Sequence, residues 1–306
     1  MVLSLQEKNT SGLLAGILAF LLWGILPLYW KGLHQLPAAT ILGHRIFWSF
    51  IFLVLVISLS GRWGEVRDVF RAKRGFWLLC LSGLLLAINW LTYIWGVNAG
   101  YVLQASMGYY INPLVNVLLG FIFFQDKLRS LQILAITLAA VGVGYLVFNY
   151  GKIPWIALTL AFTFGFYGLI RKKAAVEPLP GLLMEMMILS CPALIYLLIS
   201  GFQDGTPLKS YAVWVWVLLF GSGIITALPL LLFTFCARRL RLVEVGILQY
   251  LAPTCMFLLG VFAFHEPFPV HRLIAFLFIW SGVLFYVLES FFYLRTMARI
   301  NRAQEP

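Results

Sequence analysis

Residues Gly75 to Val147 return, without a gap, as Val215 to Val287. An offset of 140 lays Ser82-Gly83 on Ser222-Gly223, Tyr110 on Tyr250, Pro113 on Pro253, Leu118-Leu119-Gly120 on Leu258-Leu259-Gly260 and Gly142-Val143 on Gly282-Val283. Both copies consist of apolar runs too long and too uncharged for the core of a soluble domain. Duplicated apolar units of this kind are the building plan of many membrane transporters, so the repeat constrains the fold before any single residue does.

Ten apolar runs of spanning length follow one another, near Gly12–Leu33, Ala39–Ser60, Gly75–Val97, Val102–Phe124, Leu131–Asn149, Ile153–Ile170, Gly181–Ser200, Val213–Phe235, Val243–Phe264 and Val270–Phe292. At about 1.5 Å per residue most reach the roughly 30 Å thickness of the hydrocarbon layer, the sixth being the shortest. Ten runs divide into a first five-helix unit over residues 1–150 and a second over 151–306. An odd number of helices per unit makes the second copy enter from the opposite side. The expected fold class is therefore an all-α membrane protein, with ten transmembrane helices as two inverted five-helix repeats.

The composition is 62% hydrophobic and 11% charged, against roughly 45–50% and about 25% in an ordinary soluble domain. That excludes a conventional soluble enzyme. The net charge of +11 does not point to nucleic acid, because no basic helix or aromatic RNA platform accompanies it. Most cations lie instead in short loops. With the N-terminus inside, the cytoplasmic segments hold Lys8, Arg62, Arg67, Arg71, Lys73, Arg74, Lys127, Arg129, Arg171, Lys172, Lys173, Arg238, Arg239, Arg241, Arg295, Arg299 and Arg302, while the outer segments hold only Lys31, Lys152, Lys209 and Arg272. This bias places both termini in the cytoplasm. Cys80, Cys191, Cys236 and Cys255 show no CxxC pairing and read as small core residues, so neither a disulfide framework nor a metal site is expected. No cofactor motif or ATP-binding loop occurs, which leaves secondary or facilitated transport rather than pumping.

Polar side chains inside apolar helices are costly and thereby mark candidate sites. Asn89, Thr92, Tyr93 and Gly96 share one face of the third run; Ala105, Tyr109, Asn112 and Asn116 share one face of the fourth. The ninth run places Gln249 where the fourth has Tyr109, followed by Tyr250 and Pro253. Either these groups line a wet cavity together with the deep Trp23, or they only hydrogen-bond helix to helix. Pro27, Pro113, Pro229 and Pro253 are candidate hinges, since each removes a backbone donor within a span. Aligning Ser49 with Ser190 sets His44-Arg45 opposite Glu185-Met186. Inversion then puts His44 and Arg45 near the outer boundary and Glu185 near the cytoplasmic one, as candidate gate or proton-coupling groups. Trp30, Trp155 and Trp214 read as interfacial belt residues.

Taken in order, Trp23-Gly24-Ile25 with Pro27, the His44-Arg45 pair with Trp48-Ser49, Asn89-Trp90, Gly108-Tyr109 with Ile111-Asn112-Pro113, Tyr167-Gly168-Leu169 with Arg171-Lys172-Lys173, and Leu240-Arg241-Leu242 leading to Gln249-Tyr250 resemble the EamA-type transporters of the drug/metabolite transporter superfamily, in particular the RarD branch. The resemblance covers nearly all of Gly12 to Phe292. It implies a bacterial inner-membrane carrier with a central cavity for small molecules, often exported, working by alternating access. The partners expected are a small-molecule substrate, the lipid bilayer and a proton as candidate coupling ion. Two rivals stand beside a transporter: a membrane enzyme on lipid-linked substrates, which needs an acid and a base at one depth, and a non-transporting sensor or scaffold.

Overall fold

Prolines and glycines set the helix ends. Pro37 and Pro154 precede helices and Pro178 starts one, where the missing N–H has no helical partner to lose. Gly61 and Gly151 close helices at φ of 66° and 73°, a left-handed conformation that any Cβ would strain. The computed structural model describes residues 2–99, 101–203, 212–263 and 270–303, with the side chains at 2–8, 98, 102–103, 201–203, 271–272, 290–291 and 293–303 left out. Lys8, Lys209, Phe264, Arg272, Arg295, Arg299 and Arg302, on which parts of the sequence reading rest, lie outside these described side chains.

The helices are α1 (Val2–Lys31), α2 (Ala38–Ser60), α3 (Trp63–Arg71), α4 (Lys73–Asn98), α5 (Val102–Phe124), α6 (Ser130–Tyr150), α7 (Trp155–Lys173), α8 (Pro178–Gln203), α9 (Val213–Arg239), α10 (Leu242–Gln249), α11 (Leu251–Leu258), a π-helical turn over Leu259–Ala263, and α12 (Val270–Ala303). Among the described residues eight of these segments are long and apolar enough to cross a membrane, with Leu242–Ala263 counted as one; α12 adds a shorter apolar stretch, Leu273–Glu289. Their outward surface stays apolar, with Leu59, Phe148 and Val213 each about four-fifths exposed, as a lipid-facing surface requires.

Three details depart from the sequence reading. The segment 61–74, whose cations the sequence assigns to a short loop, contains the amphipathic helix α3, which buries Val66 and Val69 and leaves Glu65, Arg67 and Arg71 on its polar side. The ninth apolar run is broken at Tyr250: Pro253 cannot donate to the Gln249 carbonyl, and the Tyr250 amide turns back to the Ile247 carbonyl at 3.2 Å. By contrast α5 runs unbroken through Pro113, as α1 and α9 do through Pro27 and Pro229. The third departure is α7, which stays helical through Arg171, Lys172 and Lys173, so these cations are part of a helix rather than of a loop.

Packing repeats with the halves exchanged. If α1, α2, α4, α5 and α6 are matched in order with α7, α8, α9, α10–α11 and α12, the contact of α5 with α7 corresponds to that of α11 with α1. Likewise α1 with α9 corresponds to α7 with α4, and α2 with α9 to α8 with α4; the α2–α8, α5–α10 and α6–α12 contacts map onto themselves. In the last of these, Gly142 lies against Ala275 and Ile279, and Gly282 against Ala135 and Ala139. As numbers rise along α6 they fall along α12, so two helices related by the sequence repeat run antiparallel. A Cβ on Gly142 would stand 2.7 Å from the Ala275 carbonyl, which is why only glycine permits this approach. The same descent holds between α5 and α10, where Gly120 meets Leu242 and Val243, Asn116 meets Gly246, and Asn112 meets Gln249.

Candidate functional site

A cavity of about 350 Å³ opens among α1, α2, α4, α5, α7, α9, α10 and α11. Helical spacing explains its walls. Phe20, Trp23, Pro27 and Trp30 follow one face of α1; Ala38, Ile41, Leu42 and Arg45 follow one face of α2; and Ala105, Gly108, Tyr109 and Asn112 follow one face of α5. The first-half residues come from the C-terminal parts of α1 and α4 and the N-terminal parts of α2 and α5. The cavity therefore sits toward the end of the bundle carrying the 32–37 and 99–101 connections. Among the described residues the seventh apolar run, here α8, contributes no lining residue.

Of the residues singled out in the sequence, Trp23, Pro27, Arg45, Asn89, Tyr93, Tyr109, Asn112 and Gln249 line the cavity. Asn116 and Tyr250 lie behind it, fully buried or nearly so. At the floor the Asn116 side-chain amide donates to Asn112 Oδ1 at 3.2 Å and also to Gln249 Oε1, while the Gln249 amide donates to Asn112 Oδ1 at 2.9 Å. This triad ties α5 to α10. Asn89 Nδ2 donates to the Leu160 carbonyl at 2.8 Å and to Thr163 Oγ1 at 2.9 Å, tying α4 to α7. The amides of Asn89, Asn112 and Gln249 thus do both things the sequence left open: they face the cavity and they join helices.

Among the described residues Arg45 is the sole cation in the wall, and no Asp or Glu lines it. Its Nε donates to Thr226 Oγ1 at 3.0 Å, and its guanidinium carbon stands 4.6 Å from the Trp30 ring centroid and 5.4 Å from that of Trp90. Trp30 was expected in the interfacial belt; it belongs to the cavity, because its spacing from Phe20, Trp23 and Pro27 keeps it on the same face. Tyr93 and Tyr109 meet edge to face at 6.3 Å beside this group. His44, next in sequence, does not line the cavity. It is buried with its ring edge-on to Trp216, and among the described residues neither ring nitrogen has a hydrogen-bond partner.

Beneath the cavity lies an aromatic stack. Trp23 and Phe233 have ring centroids 5.7 Å apart, Phe164 and Phe233 5.0 Å, and Phe233 and Tyr167 6.0 Å. Phe233 and Tyr167 are fully buried. Tyr167 then donates to Glu185 Oε2 at 3.2 Å, Ser82 donates to Glu185 Oε1 at 2.5 Å, and Arg171 Nε stands 3.5 Å from Oε1. Both members of the Arg171–Glu185 pair are fully buried. Arg171 also donates to the Pro178 carbonyl at 3.1 Å and passes Gly181 so closely that a Cβ there would overlap the guanidinium. Around this pair Lys172 donates to the Ala237 carbonyl at 2.9 Å and to the Leu240 carbonyl, and Arg238 pairs with Glu177 at 2.9 Å. Glu185 is thus no isolated acid but part of a latch holding α7, α8 and α4 together, toward the end of the bundle opposite the cavity.

Sequence reasoning missed Thr226, Phe233, Tyr167 and Arg171. Arg171 was counted as a loop cation, although Tyr167, Gly168 and Arg171 share a face of α7 and that spacing could have marked it.

The sequence model of the EamA-like transporter family matches this chain twice, over residues 10–148 and 152–288. The "Uncharacterized transporter YojE" of Bacillus subtilis is 45% identical over 289 residues, spanning 93% of this chain and 96% of its own length. "Protein RarD" of Escherichia coli is 40% identical over 94% of this chain and 97% of its own, and "Chloramphenicol-sensitive protein RarD" of Pseudomonas aeruginosa is 30% identical over 94% and 97%. A solved structure described only as "Crystal structure of protein" superposes with a TM-score of 0.68 at 17% identity, covering 92% of this chain and 97% of that one, which speaks to the fold alone.

Proposed function

The chain belongs to the EamA-like transporter family, and from that premise we propose that it is a secondary transporter that moves small molecules out of the bacterial cytoplasm across the inner membrane by alternating access. The observation that carries this reading is the pairing of an open cavity at one end of the bundle with a buried latch at the other. Ten spans in two inverted units, over 1–150 and 151–306, are the architecture it requires. Antiparallel packing of the repeat-related helices α6 and α12, and of α5 and α10, supports that architecture.

With both termini cytoplasmic, as the loop cations favour, the cavity faces outward and the latch closes the cytoplasmic side. Substrate release to the outside is the step this conformation represents. Trp23, Asn89, Tyr93, Tyr109, Asn112 and Gln249 would contact substrate, Asn116 and Tyr250 would hold the floor, and Arg171–Glu185 would act as the inner gate. His44 and Glu185 lie at opposite ends of the bundle, so an acid–base pair for enzymatic work on a lipid-linked substrate does not meet.

Reconstitution into proteoliposomes tests the function: the protein should mediate flux or counterflow of small metabolites or drugs without ATP. Absence of flux across a broad panel, from protein that remains folded, would favour the sensor or scaffold reading. Reporter fusions at Pro306 and within residues 202–210 should report inside and outside respectively. The same side for both would sink the inverted ten-span architecture.

A further inference from the structure

Arg45 carries a full charge into the wall of a cavity whose other described lining residues are apolar, aromatic or neutral polar. A buried cation normally has a paired anion, because leaving it alone in a low-dielectric site is expensive. Among the described residues no carboxylate pairs with Arg45, and none lines the cavity. Its Nε is held by Thr226, and its guanidinium plane is braced by Trp30 and Trp90, which fixes the orientation of the remaining donors. A guanidinium so held presents a fork that matches a carboxylate in a bidentate manner. Behind it, Trp23, Phe20 and Phe164 offer an apolar body site.

On the reading that this cavity is the transport site, we infer that its substrate is an organic carboxylate with an apolar, preferably aromatic, body and no cationic group. The carboxylate sits on Arg45, and the body lies toward Trp23 above the aromatic stack. The lack of an acid in the wall selects against a substrate ammonium group, because such a group would face Arg45 with no counter-charge of its own. An amide or ester of the same shape loses the charge-assisted bond and leaves the cation unpaired, which corresponds to binding about 10- to 100-fold weaker.

The test uses the purified full chain and a series of aryl carboxylates from benzoate to 4-phenylbutanoate, each beside its primary amide, with acetate and phenylalanine as controls. Thermal stabilisation gives binding, and counterflow in proteoliposomes gives transport. The expected result is stabilisation by at least one aryl carboxylate, about 10- to 100-fold weaker stabilisation by its amide, and weak responses to acetate and phenylalanine. Arg45→Gln should erase the carboxylate–amide difference, and Arg45→Lys should keep part of it. Equal response to acid and amide, discrimination that persists in Arg45→Gln, or no stabilisation by any acid in the series overturns the inference. Should Arg45→Gln fail to fold, the acid–amide comparison on the wild-type chain decides alone. Acid-selective stabilisation without counterflow would keep the anion site and remove the transporter reading. Counterflow of acid and amide at equal rates would do the reverse.

Discussion

The mouth and the latch of this bundle occupy related places in the repeat, yet they hold opposite chemistry. At the mouth, α2 offers His44 and Arg45; at the latch, the matching turn of α8 offers Glu185 and Met186. Arg45 faces open space over indole rings, whereas Glu185 is closed in by Ser82, Tyr167 and Arg171. The backbone plan is shared, since interfaces recur with the halves exchanged. What differs is whether a charge found its partner within the protein. A duplicated scaffold could close either end. The side chains decide which end is closed here, and the unpaired one is where the proposed carboxylate would bind.

The sharpest way to break this comparison is to remove one member of the latch. Glu185→Ala leaves Arg171 buried without its anion, and Arg171→Ala does the converse; each should lower stability by about 3–5 kcal/mol, seen as a large fall in melting temperature in detergent. Replacing both by leucine should recover much of that loss, because a buried ion pair is often no more stabilising than packed apolar groups. If the pair is the inner gate, the recovered double variant still loses control of access and leaks substrate. A double variant with normal coupling would make the pair a structural tie and nothing more.

Gly181 refines the same point at lower amplitude. A methyl group at this position meets the Arg171 guanidinium, so Gly181→Ala must displace that group and is expected to disturb its pairing with Glu185. Overpacking of this kind costs about 1–3 kcal/mol. Gly144, with open space around its Cβ position, is the control: Gly144→Ala should be neutral or slightly stabilising. Equal behaviour of the two variants would mean that Arg171 is less tightly held than its burial indicates.

At the cavity floor the expected changes in stability are smaller and those in function larger. Asn112→Leu and Asn116→Leu each remove interhelical hydrogen bonds worth about 0.6 kcal/mol on average in membranes, so protein should still reach the membrane. Asn112 lines the cavity and Asn116 does not. Transport should therefore fall most in Asn112→Leu, and in Asn116→Leu only so far as the Asn112–Gln249 arrangement slips. Wild-type flux in both would reduce the triad to packing.

How much of this was legible beforehand follows from the same physics. Lipid forces long apolar runs, so the repeat and the helices stood out, and helical spacing gathered Asn89, Tyr93, Tyr109 and Asn112 on the cavity side. That rule is blind to depth: Asn116 shares the stripe with Asn112 yet sits one turn too far in. Loop-charge counting is blind to helix ends, so it ranks Arg171 among the topogenic cations, whereas Arg171 pairs with Glu185. Belt statistics assign Trp30 to the interface because it stands near a helix end, although its spacing from Phe20, Trp23 and Pro27 keeps it on the cavity face, where Arg45 from α2 meets it. Nor could sequence order show that Phe233 from α9 would slot between Trp23 and Tyr167. Contacts between distant helices left no periodic trace.

The smallest effect is expected where an acid in a transporter invites the strongest suspicion. A proton carrier must meet water from each side in turn, and the rings of Trp23, Phe233 and Tyr167 stand in a row between the cavity and Glu185. Glu185→Gln keeps an oxygen to accept from Ser82 and Tyr167 but cannot ionise near neutral pH. If the group is a gate, net flux in proteoliposomes should change in absolute rate, because the latch has lost its charge pair. The ratio of flux with and without an imposed pH gradient should stay as in the wild type. Substrate counterflow, which needs no net proton movement, should persist in either case and serves as the folding control. A gradient response lost in Glu185→Gln while counterflow survives would make Glu185 the carrier, and would require the aromatic stack to part far enough during the cycle to let water reach the latch.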